Sequence, residues 1–542
     1  MKSVSVLFLA ILVSAACQGE APRSGAVAVT PQAPKVRQPA VAGAFYPGDA
    51  QVLGKIVDGF LAHAEVEPIA GPLVAITAPH AGYEYSGQVA AHSFALLRGR
   101  KFARVVVIAP CHIEAFDFSS IYDGDAYATP LGTIAVDREF ARKLAAESPR
   151  IKISSRGHGI VQGRGEHALE VELPFLQRVL GEFKLVPIVM GDQTYDLERS
   201  LGVALAKLMR EARPKDAQVQ SDTLIVASSD LSHFHPYDDA VRLDRKLLNA
   251  LEEWDYFNMS QNFERRVWEA CGGGPIVAAM IAAEKLGANR AKVLKYANSG
   301  DATGDKSRVV GYGAAAFYTD NSKRANKGRQ NSLSEAEEDA LMKIAKQSVF
   351  FAVKERKMYQ CSSGGMAKLD QDRGAFVTLK KHGELRGCIG YIAPTKPLCM
   401  TVRDVAAAAA LEDPRFRPVE FSELPQLEYE VSVLSPLRRV TDMQQIKVGE
   451  HGLVAWKGDR EGLLLPQVPV EQHWDRATFL KQTCVKAGLQ PNAWKDEGTD
   501  IFMFTALVFG EHTRPEPPNL EAPPWPQPGA RPGAPGQGLP RQ

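Results

Sequence analysis

Side chains that can bind a metal ion or transfer a proton follow three short apolar runs in the first half of the chain. The runs span residues 73–78, 104–109 and 223–228, and the side chains after them are His80, His112, Asp230 and His233. Buried runs of this kind are typical of parallel strands, whose carboxyl ends meet at one edge of a sheet, where ligands bind. We therefore expect these four side chains to lie in one crevice.

Cys271 is a further candidate because it precedes a predicted helix. Three glycines, residues 272–274, follow it and lead into the apolar run 276–286. A helix N-terminus favours anions, so this position predicts a lowered thiol pKa and a thiolate that acts as ligand or nucleophile. Two neutral imidazoles with one anionic ligand suit a divalent transition ion with open positions, and iron or copper fits better than calcium or magnesium.

Helical segments alternate with the apolar runs. The clearest helical patterns cover residues 139–147, 168–180 and 197–213, and a fourth apolar run covers residues 183–190. This alternation predicts an α/β domain built around a mostly parallel sheet. Such a sheet would place the candidate side chains at its carboxyl edge.

Six motifs in this half together resemble the Memo family over residues 37–319. They are Ala42-Gly43-Ala44-Phe45-Tyr46-Pro47, Ala78-Pro79-His80-Ala81-Gly82-Tyr83, Pro110-Cys111-His112, Glu166-His167-Ala168-Leu169-Glu170, Ser228-Ser229-Asp230-Leu231-Ser232-His233 and Cys271-Gly272. The family is similar in fold to class III extradiol dioxygenases, which hold non-haem iron through two histidines and a carboxylate. The set is specific, although each motif alone is weak.

The resemblance implies a role for each candidate residue. His80, His112 and Cys271 would bind the metal, with Cys271 in the position of the dioxygenase carboxylate. His233 would act as acid and base, and Asp230 would orient it by accepting a hydrogen bond. A third catalytic candidate at the border of the cleft is His167.

Each of these residues also has an ordinary structural interpretation. A histidine after a strand is often a hydrogen-bonded loop residue, and Ser-Ser-Asp at 228–230 can cap a helix. Glu166 and Glu170, one predicted helical turn apart, would then simply cap or pair. Cys111 replaces the Ser or Thr that the family commonly has there. It is either a packed small residue, a thiol that tunes the metal, or a disulfide partner of Cys271 that would abolish metal binding.

The second half predicts a smaller α+β domain. Residues 334–337 have capping-box spacing before a helix whose apolar face comprises residues 341, 344, 345, 348, 349 and 352. Predicted strands at 376–381 and 384–389 flank His382-Gly383, a two-residue hairpin signal. Apolar and polar residues alternate from 427 to 433, as in a strand with one buried face.

This half resembles AMMECR1 domains over about residues 333–512. The motifs are Gly383-Glu384-Leu385-Arg386-Gly387-Cys388-Ile389-Gly390, Asp413-Pro414-Arg415-Phe416, His451-Gly452-Leu453, Leu464-Leu465-Pro466-Gln467-Val468 and Trp474-Asp475. The resemblance implies an α+β fold and carries no established activity. Arg386 and Cys388 either form a site in which the arginine favours a thiolate, or mark a close turn or bulge with Cys388 as a small core residue.

The remaining segments predict export and flexible connections. An apolar run at 6–13 and small residues before Cys17 are typical of a lipoprotein signal peptide at 1–17, although a frayed core helix would also fit. The run is too short to span a bilayer, so membrane attachment would come only through a lipid on Cys17. Residues 18–36 predict a tether, 320–332 a linker and 513–542 a disordered tail rich in proline and glycine.

Composition narrows the range of functions. The 542 residues include 64 basic and 63 acidic side chains, so the net charge creates no electrostatic attraction of the whole chain to nucleic acid. The seven cysteines include no CxxC pair of a zinc ribbon or thioredoxin-like motif. The leading hypothesis is an exported metal-dependent oxidoreductase acting on an unknown small molecule or peptide. The alternative is a non-catalytic module that binds a peptide or protein in a vestigial cleft.

The pairing of the two domains suggests a further partner. Memo and AMMECR1 modules resemble two components of a predicted three-part system, AmmeMemoRadiSam, whose third component is a radical S-adenosylmethionine protein. The sequence has no cysteine triplet suited to the iron–sulfur cluster of that component. We therefore expect the radical S-adenosylmethionine protein to be a separate chain.

Overall fold

A computed structural model describes residues 33–212, 222–320, 333–458 and 460–510. The predicted signal peptide, most of the predicted tether, the predicted linker after residue 320 and the predicted tail lie outside these residues. Within the described ranges, no helix is both long enough and apolar enough to cross a membrane.

The first domain contains helices and strands that alternate along the chain. Its helices are α1 (Ala50–His63), α2 (Tyr83–Ala95), α3 (Arg138–Ala146), α4 (Leu173–Leu180), α5 (Tyr195–Glu211), α6 (Tyr237–Glu252), α7 (Tyr256–Glu264), α8 (Gly273–Lys285) and α9 (Ser299–Thr303). Its strands are β1 (Val36–Arg37), β2 (Leu73–Ala78), β3 (Arg104–Pro110), β4 (Ser119–Ile121), β5 (Ala126–Thr129), β6 (Gly132–Ala135), β7 (Ile151–Ile153), β8 (Ile160–Val161), β9 (Arg164–Gly165), β10 (Lys184–Met190), β11 (Thr223–Ser228), β12 (Asp230–His235), β13 (Arg290–Asn298) and β14 (Val309–Tyr318).

A large mixed sheet forms the centre of this domain, in the order β12-β14-β2-β11-β3-β10-β4-β7, with β13 beside β14. The four central strands β2, β11, β3 and β10 are parallel, whereas β14 and β4 pair with them antiparallel. Along β3, Val106 and Ile108 pack into one core cluster and Val105 and Val107 into another. Both faces are therefore buried, as the continuous apolar runs predict, and the predicted α/β class is confirmed.

The second domain is α+β, as predicted. Its helices are α10 (Glu335–Phe350), α11 (Leu398–Leu411), α12 (Gln467–Glu471) and α13 (Arg476–Lys486). Its strands are β15 (Ala375–Lys381), β16 (Glu384–Tyr391), β17 (Leu427–Leu434), β18 (Arg438–Arg439), β19 (Gly452–Lys457), β20 (Arg460–Leu464), β21 (Asp500–Phe504) and β22 (Ala506–Gly510). They form two antiparallel sheets, β16-β15-β17-β22 and β18-β21-β19-β20.

Local signals position the first elements of this domain. Ser334 and Glu337 form the predicted capping box at the start of α10. In the β15–β16 hairpin, His382 and Gly383 have φ angles of 54° and 79°. Two consecutive positive φ values match the tight hairpin turn that the His-Gly pair predicts.

One hydrophobic core cluster contains residues of both domains. Trp456 and Phe502 of the second domain pack with Tyr195 and Phe257 of the first, with ring centroids 4.3–6.5 Å apart. The buried carboxylate of Asp500 accepts hydrogen bonds from the guanidinium groups of Arg199 and Arg439, at 2.6 and 2.8 Å respectively. Because these arginines come from different domains, Asp500 is an ionic link across the interface.

Candidate metal centre

Three of the predicted side chains converge at the carboxyl edge of the central sheet. One ligand atom each from His80, His112 and Cys271 lies within 4.8 Å of the other two. The Cys271 sulfur is 3.1 Å from His80 Nε2, and the two imidazole centroids are 5.3 Å apart. These residues follow β2, follow β3 and precede α8, so the fold assembles the cluster from three distant segments.

Hydrogen bonds hold His80 in one orientation. Its Nδ1 lies 2.8 Å from Ser228 Oγ, and the Ser228 hydroxyl lies 2.6 Å from a carboxylate oxygen of Glu172. Donation from Nδ1 leaves Nε2 as the nitrogen that faces Cys271. Burial, and then the neighbouring His112, lower the pKa of His80 well below its ordinary value. His80 is therefore a neutral imidazole, the form that binds metal ions.

Glu166 orients His112. Its carboxylate accepts hydrogen bonds from the His112 backbone N–H at 2.5 Å and from Nδ1 at 3.1 Å. It also accepts from the backbone N–H groups of His167 and Ala168, at 2.9 and 3.0 Å. Burial would raise the pKa of Glu166, but the hydrogen bonds from His112 and the backbone outweigh it and lower the pKa to about 2. The ionised carboxylate thus leaves His112 Nε2 free to bind a cation.

Glu170 has a different role from Glu166. It is completely buried, pairs with Arg37 and Tyr46, and accepts hydrogen bonds from the backbone N–H groups of Ala40 and Val41 at 2.8 and 3.1 Å. These contacts anchor the segment that contains the first family-like motif. The sequence left open whether both carboxylates only cap or pair. In the structure, Glu166 orients a residue of the cluster, whereas Glu170 stabilises the fold of this N-terminal segment.

The environment of Cys271 differs from the sequence-based expectation. Its sulfur accepts a hydrogen bond from the Asp230 backbone N–H at 3.2 Å. Burial, and then the negative charge of Asp230, raise the thiol pKa well above its ordinary value. The prediction that the helix N-terminus lowers this pKa is therefore wrong, because desolvation outweighs the end of α8. A divalent cation between the two imidazoles would favour the thiolate instead.

Gly272 allows the chain to bring Cys271 into the cluster. A Cβ atom at this position would lie 2.1 Å from the carbonyl oxygen of Ser228 and 2.8 Å from the Ser229 side chain. Any larger residue would push Cys271 away from β11. Glycine is required here because the backbone passes close to the end of a neighbouring strand.

Asp230 and His233 lie on β12 beside the cluster. The alternative of a helix cap at Ser-Ser-Asp is wrong, since Asp230 begins a strand with irregular register on both sides of His233. Asp230 accepts a hydrogen bond from the His80 backbone N–H at 2.8 Å. The predicted hydrogen bond from His233 to Asp230 is also wrong, because His233 Nδ1 donates to the Leu231 carbonyl at 2.8 Å. A backbone carbonyl thus fixes the tautomer, and Nε2 is left as the basic nitrogen.

His233 remains close to the cluster despite this change of partner. One ligand atom each from Asp230, His233 and Cys271 lies within 4.8 Å of the others. His167 stacks on His112 with ring centroids 4.8 Å apart. Burial, and then the neighbouring His80 and His112, lower the pKa of His167 to about 4. The three predicted catalytic side chains therefore surround the three predicted ligands.

A cavity of about 480 Å³ opens next to the cluster. His167, Asp230 and His233 form one part of its wall, and the aromatic side chains Phe45, Tyr85, Phe234 and Tyr312 form another. Arg308 also lines it, with its guanidinium carbon 5.1 Å from the Phe234 ring centroid. The cavity is large enough for a small organic molecule or a peptide side chain.

Cys111 lies outside the ligand cluster. It packs against the hydrophobic core on one face of the sheet, and both Cys111 and Cys271 are free thiols. Burial raises the pKa of Cys111. This environment matches the packed-residue interpretation of Cys111.

A family model described as Memo-like protein matches residues 37–316, just over half of the chain. The chain belongs to the Memo-like protein family. A MEMO1 family protein of Methanopyrus kandleri is 36% identical over 291 residues, which cover 52% of this chain and 98% of the relative. One of Aeropyrum pernix is 38% identical over 295 residues, 52% of this chain and 99% of that relative.

A second family model and one solved structure also match this chain. A family model described as AMMECR1 matches residues 342–509. The crystal structure of an uncharacterized protein from Pyrococcus horikoshii is 38% identical and covers 33% of this chain and 94% of its own, with a TM-score of 0.32. Both resemblances recognised in the sequence are thus confirmed by family models.

The signature strand of the AMMECR1 domain has mainly structural contacts. Arg386 binds the Glu423 carboxylate at 2.8 Å and the Arg417 carbonyl at 2.8 Å. The β15–β16 register shifts at Arg386, and a Cβ on Gly387 would lie 2.1 Å from the Ala409 carbonyl oxygen. These facts favour the bulge interpretation over a site formed by Arg386 and Cys388.

Proposed function

We propose that the Memo-like domain is a metal-dependent oxidoreductase whose iron or copper ion is held by His80, His112 and Cys271. The proposal depends on one observation: ligand atoms from these three residues lie within 4.8 Å of one another. Each histidine has its Nδ1 hydrogen-bonded to a second residue, so Nε2 is available for the ion. Nitrogen and sulfur donors of this kind suit iron or copper and do not suit magnesium or calcium.

The ion would supply a redox couple and open coordination positions. The chain's own residues would then bind and deprotonate the substrate. The aromatic wall of the neighbouring cavity would hold its apolar part, and His233 Nε2 would accept a proton from a substrate hydroxyl and later return it. Asp230 holds the His80 backbone, and neutral His167 borders the same space. The substrate is a small molecule or a modified peptide.

Metal analysis of the reduced protein tests the proposed site. We expect about one iron or copper ion per chain, because the three ligands form a single site. His80→Ala should remove nearly all of it. His63→Ala, at the exposed end of α1, is the matched control and should leave the metal content unchanged. Wild-type protein that binds neither ion under reducing conditions would overturn the proposal and favour the alternative, a non-catalytic cleft that binds a peptide or protein.

Redox activity needs a separate measurement. Oxygen consumption by the iron- or copper-loaded protein with ascorbate should exceed that of metal-free protein. His233→Gln should keep the metal and lower the rate by roughly 10²–10⁴-fold, the usual contribution of a general base. His235→Gln is the control, because His235 pairs with Glu269 at 2.9 Å on the protein surface. Equal rates for the metal-loaded and metal-free proteins would contradict an oxidoreductase function.

We also propose a location and a partner on the basis of the sequence. The segment 1–17 supports export and lipid attachment at Cys17, and the fusion of the two domains supports action with a separate radical S-adenosylmethionine protein. Nucleic acid is not a proposed partner, since basic and acidic residues balance. Cys17→Ala should move the protein from the membrane fraction to the aqueous fraction, and unchanged fractionation would contradict lipid attachment.

A further inference from the structure

Two cysteines of the AMMECR1 domain lie close together. Cys361 Sγ donates a hydrogen bond to the backbone carbonyl of Cys399 at 3.5 Å. Both pack into the core formed around α10, α11 and β15. Cys399 lies in the first turn of α11, and Cys361 lies in the segment 356–374 that leads to β15. We call residues 356–374 the connecting segment.

We propose that Cys361 and Cys399 form a disulfide bond under oxidising conditions and that this bond fastens the connecting segment to α11. Other cysteines of the described residues have different surroundings. Cys484 packs in a separate core cluster, Cys388 contacts the Thr378 hydroxyl at 3.3 Å, and Cys111 packs in the Memo-like domain. The fold therefore brings Cys361 close to Cys399 and places these other cysteines elsewhere.

The chemistry is ordinary thiol–disulfide exchange with oxidised glutathione or another disulfide as the oxidant. Cys361 is partly exposed, whereas Cys399 is buried. The Cys361 thiolate attacks one glutathione sulfur, forms a mixed disulfide and releases one glutathione thiolate. The Cys399 thiolate then attacks the Cys361 sulfur and releases the second glutathione. Two thiols are oxidised, two glutathiones are formed, and the two thiol protons pass to the released thiolates.

Burial affects the order of these steps. Burial, and then the neighbouring Cys361, raise the pKa of Cys399 to about 11. The buried thiol is thus the poorer first nucleophile, since only the thiolate attacks. Once Cys361 carries glutathione, its sulfur is presented directly to Cys399, and proximity favours the second exchange.

The bond would also reach the interface between the domains. The far end of the connecting segment contains Asp372, which binds the Lys246 ammonium at 2.7 Å and the Trp268 indole N–H at 3.1 Å. The next residue, Arg373, binds Glu253 of the Memo-like domain at 3.1 Å. Fastening the segment at Cys361 would therefore restrict the loop that anchors one domain on the other.

Peptide mapping of the full-length protein tests the pairing. The protein is equilibrated with oxidised and reduced glutathione, alkylated with iodoacetamide, digested and analysed by mass spectrometry. We expect one linked peptide pair joining Cys361 to Cys399, with Cys388 and Cys484 recovered in alkylated form. Cys399→Ser should leave glutathione attached to Cys361. Full alkylation of both residues in oxidised wild-type protein, or linkage of Cys361 to another cysteine, would overturn the proposal.

Thermal unfolding gives a second readout. Closing a chain loop between residues 38 positions apart restricts the unfolded state, so oxidised wild-type protein should melt several degrees above reduced protein. This difference should vanish in Cys361→Ser and persist in Cys484→Ser, which alters a buried cysteine away from the pair. A redox-dependent shift that survives in Cys361→Ser would assign the effect to other thiols and contradict the proposed bond.

Discussion

The His80–His112–Cys271 cluster and the signature strand of the AMMECR1 domain both combine a cysteine with charged or basic residues, yet they differ in what those residues contact. In the cluster, side chains from distant segments turn one donor atom toward a common point and use the other for orientation. In the signature strand, Arg386 is neutralised by Glu423, and in the loop after α11, Arg415 is neutralised by Asp413. Metal-ligand donor atoms that converge from distant segments indicate a functional site. Charged side chains that are already paired with nearby carboxylates indicate a structural role.

Replacing one cysteine in each region tests this contrast most directly. Cys271→Ser should reduce bound iron or copper from about one equivalent to nearly none, because the site loses its only anionic ligand. Cys388→Ser should leave the metal content unchanged. Metal analysis after anaerobic loading measures both variants. Similar losses in the two variants would mean that the contrast between the regions does not hold.

Replacing one paired carboxylate in each domain should change the free energy of unfolding by different amounts. Glu170→Gln leaves Arg37 buried without its counter-charge and should cost about 3–5 kcal/mol. Glu423→Gln, in the more accessible pair with Arg386, should cost only roughly 0.5–1 kcal/mol. Urea denaturation of the two variants provides the values. Equal costs would show that the two pairs are equally well solvated.

A smaller effect than that of Glu170→Gln is expected for the pH dependence of stability. His158 is buried between the Tyr127 hydroxyl and the Ser120 carbonyl, and burial lowers its pKa to about 4. Between about pH 4 and pH 6.5 the unfolded chain binds more protons than the folded protein, so stability falls as the pH is lowered through this range. The loss from this group should be about 2 kcal/mol between about pH 7 and pH 5.

Two variants distinguish this contribution from that of other histidines. His158→Gln should show a shallower loss of stability on acidification than the wild type, measured by urea denaturation at several pH values. His382→Asn changes an exposed turn residue of the AMMECR1 domain and should keep the wild-type slope. An unchanged slope in His158→Gln would contradict burial of a neutral imidazole at this position.

Local sequence patterns predicted the elements well because they depend on neighbouring residues. The apolar runs at 73–78 and 223–228 coincide with β2 and β11, and the capping box and hairpin turn of the AMMECR1 domain are where the sequence places them. The convergence of His80, His112 and Cys271 could also be predicted, because strand ends and a helix start are local features that a parallel sheet brings together.

Other features depend on contacts that the sequence does not encode locally. Glu166 and Glu170 do not share a helix face, because α4 begins at Leu173, later than the predicted helix at 168–180. The partner of His233 depends on the irregular register of β12 against β14. The pKa of Cys271 depends on burial, which is known only once the whole domain is assembled.

The ionic link at Asp500 has a consequence for how the protein can be divided. Separating the halves near residue 320 would leave Arg199 without its carboxylate and would uncover Tyr195 and Phe257, which the second half covers. A truncated Memo-like half would therefore expose a hydrophobic aromatic surface and tend to self-associate. Because both halves belong to one polypeptide, they are made in equal amounts. The linkage also keeps the interface surface of each half at a high effective concentration relative to the other.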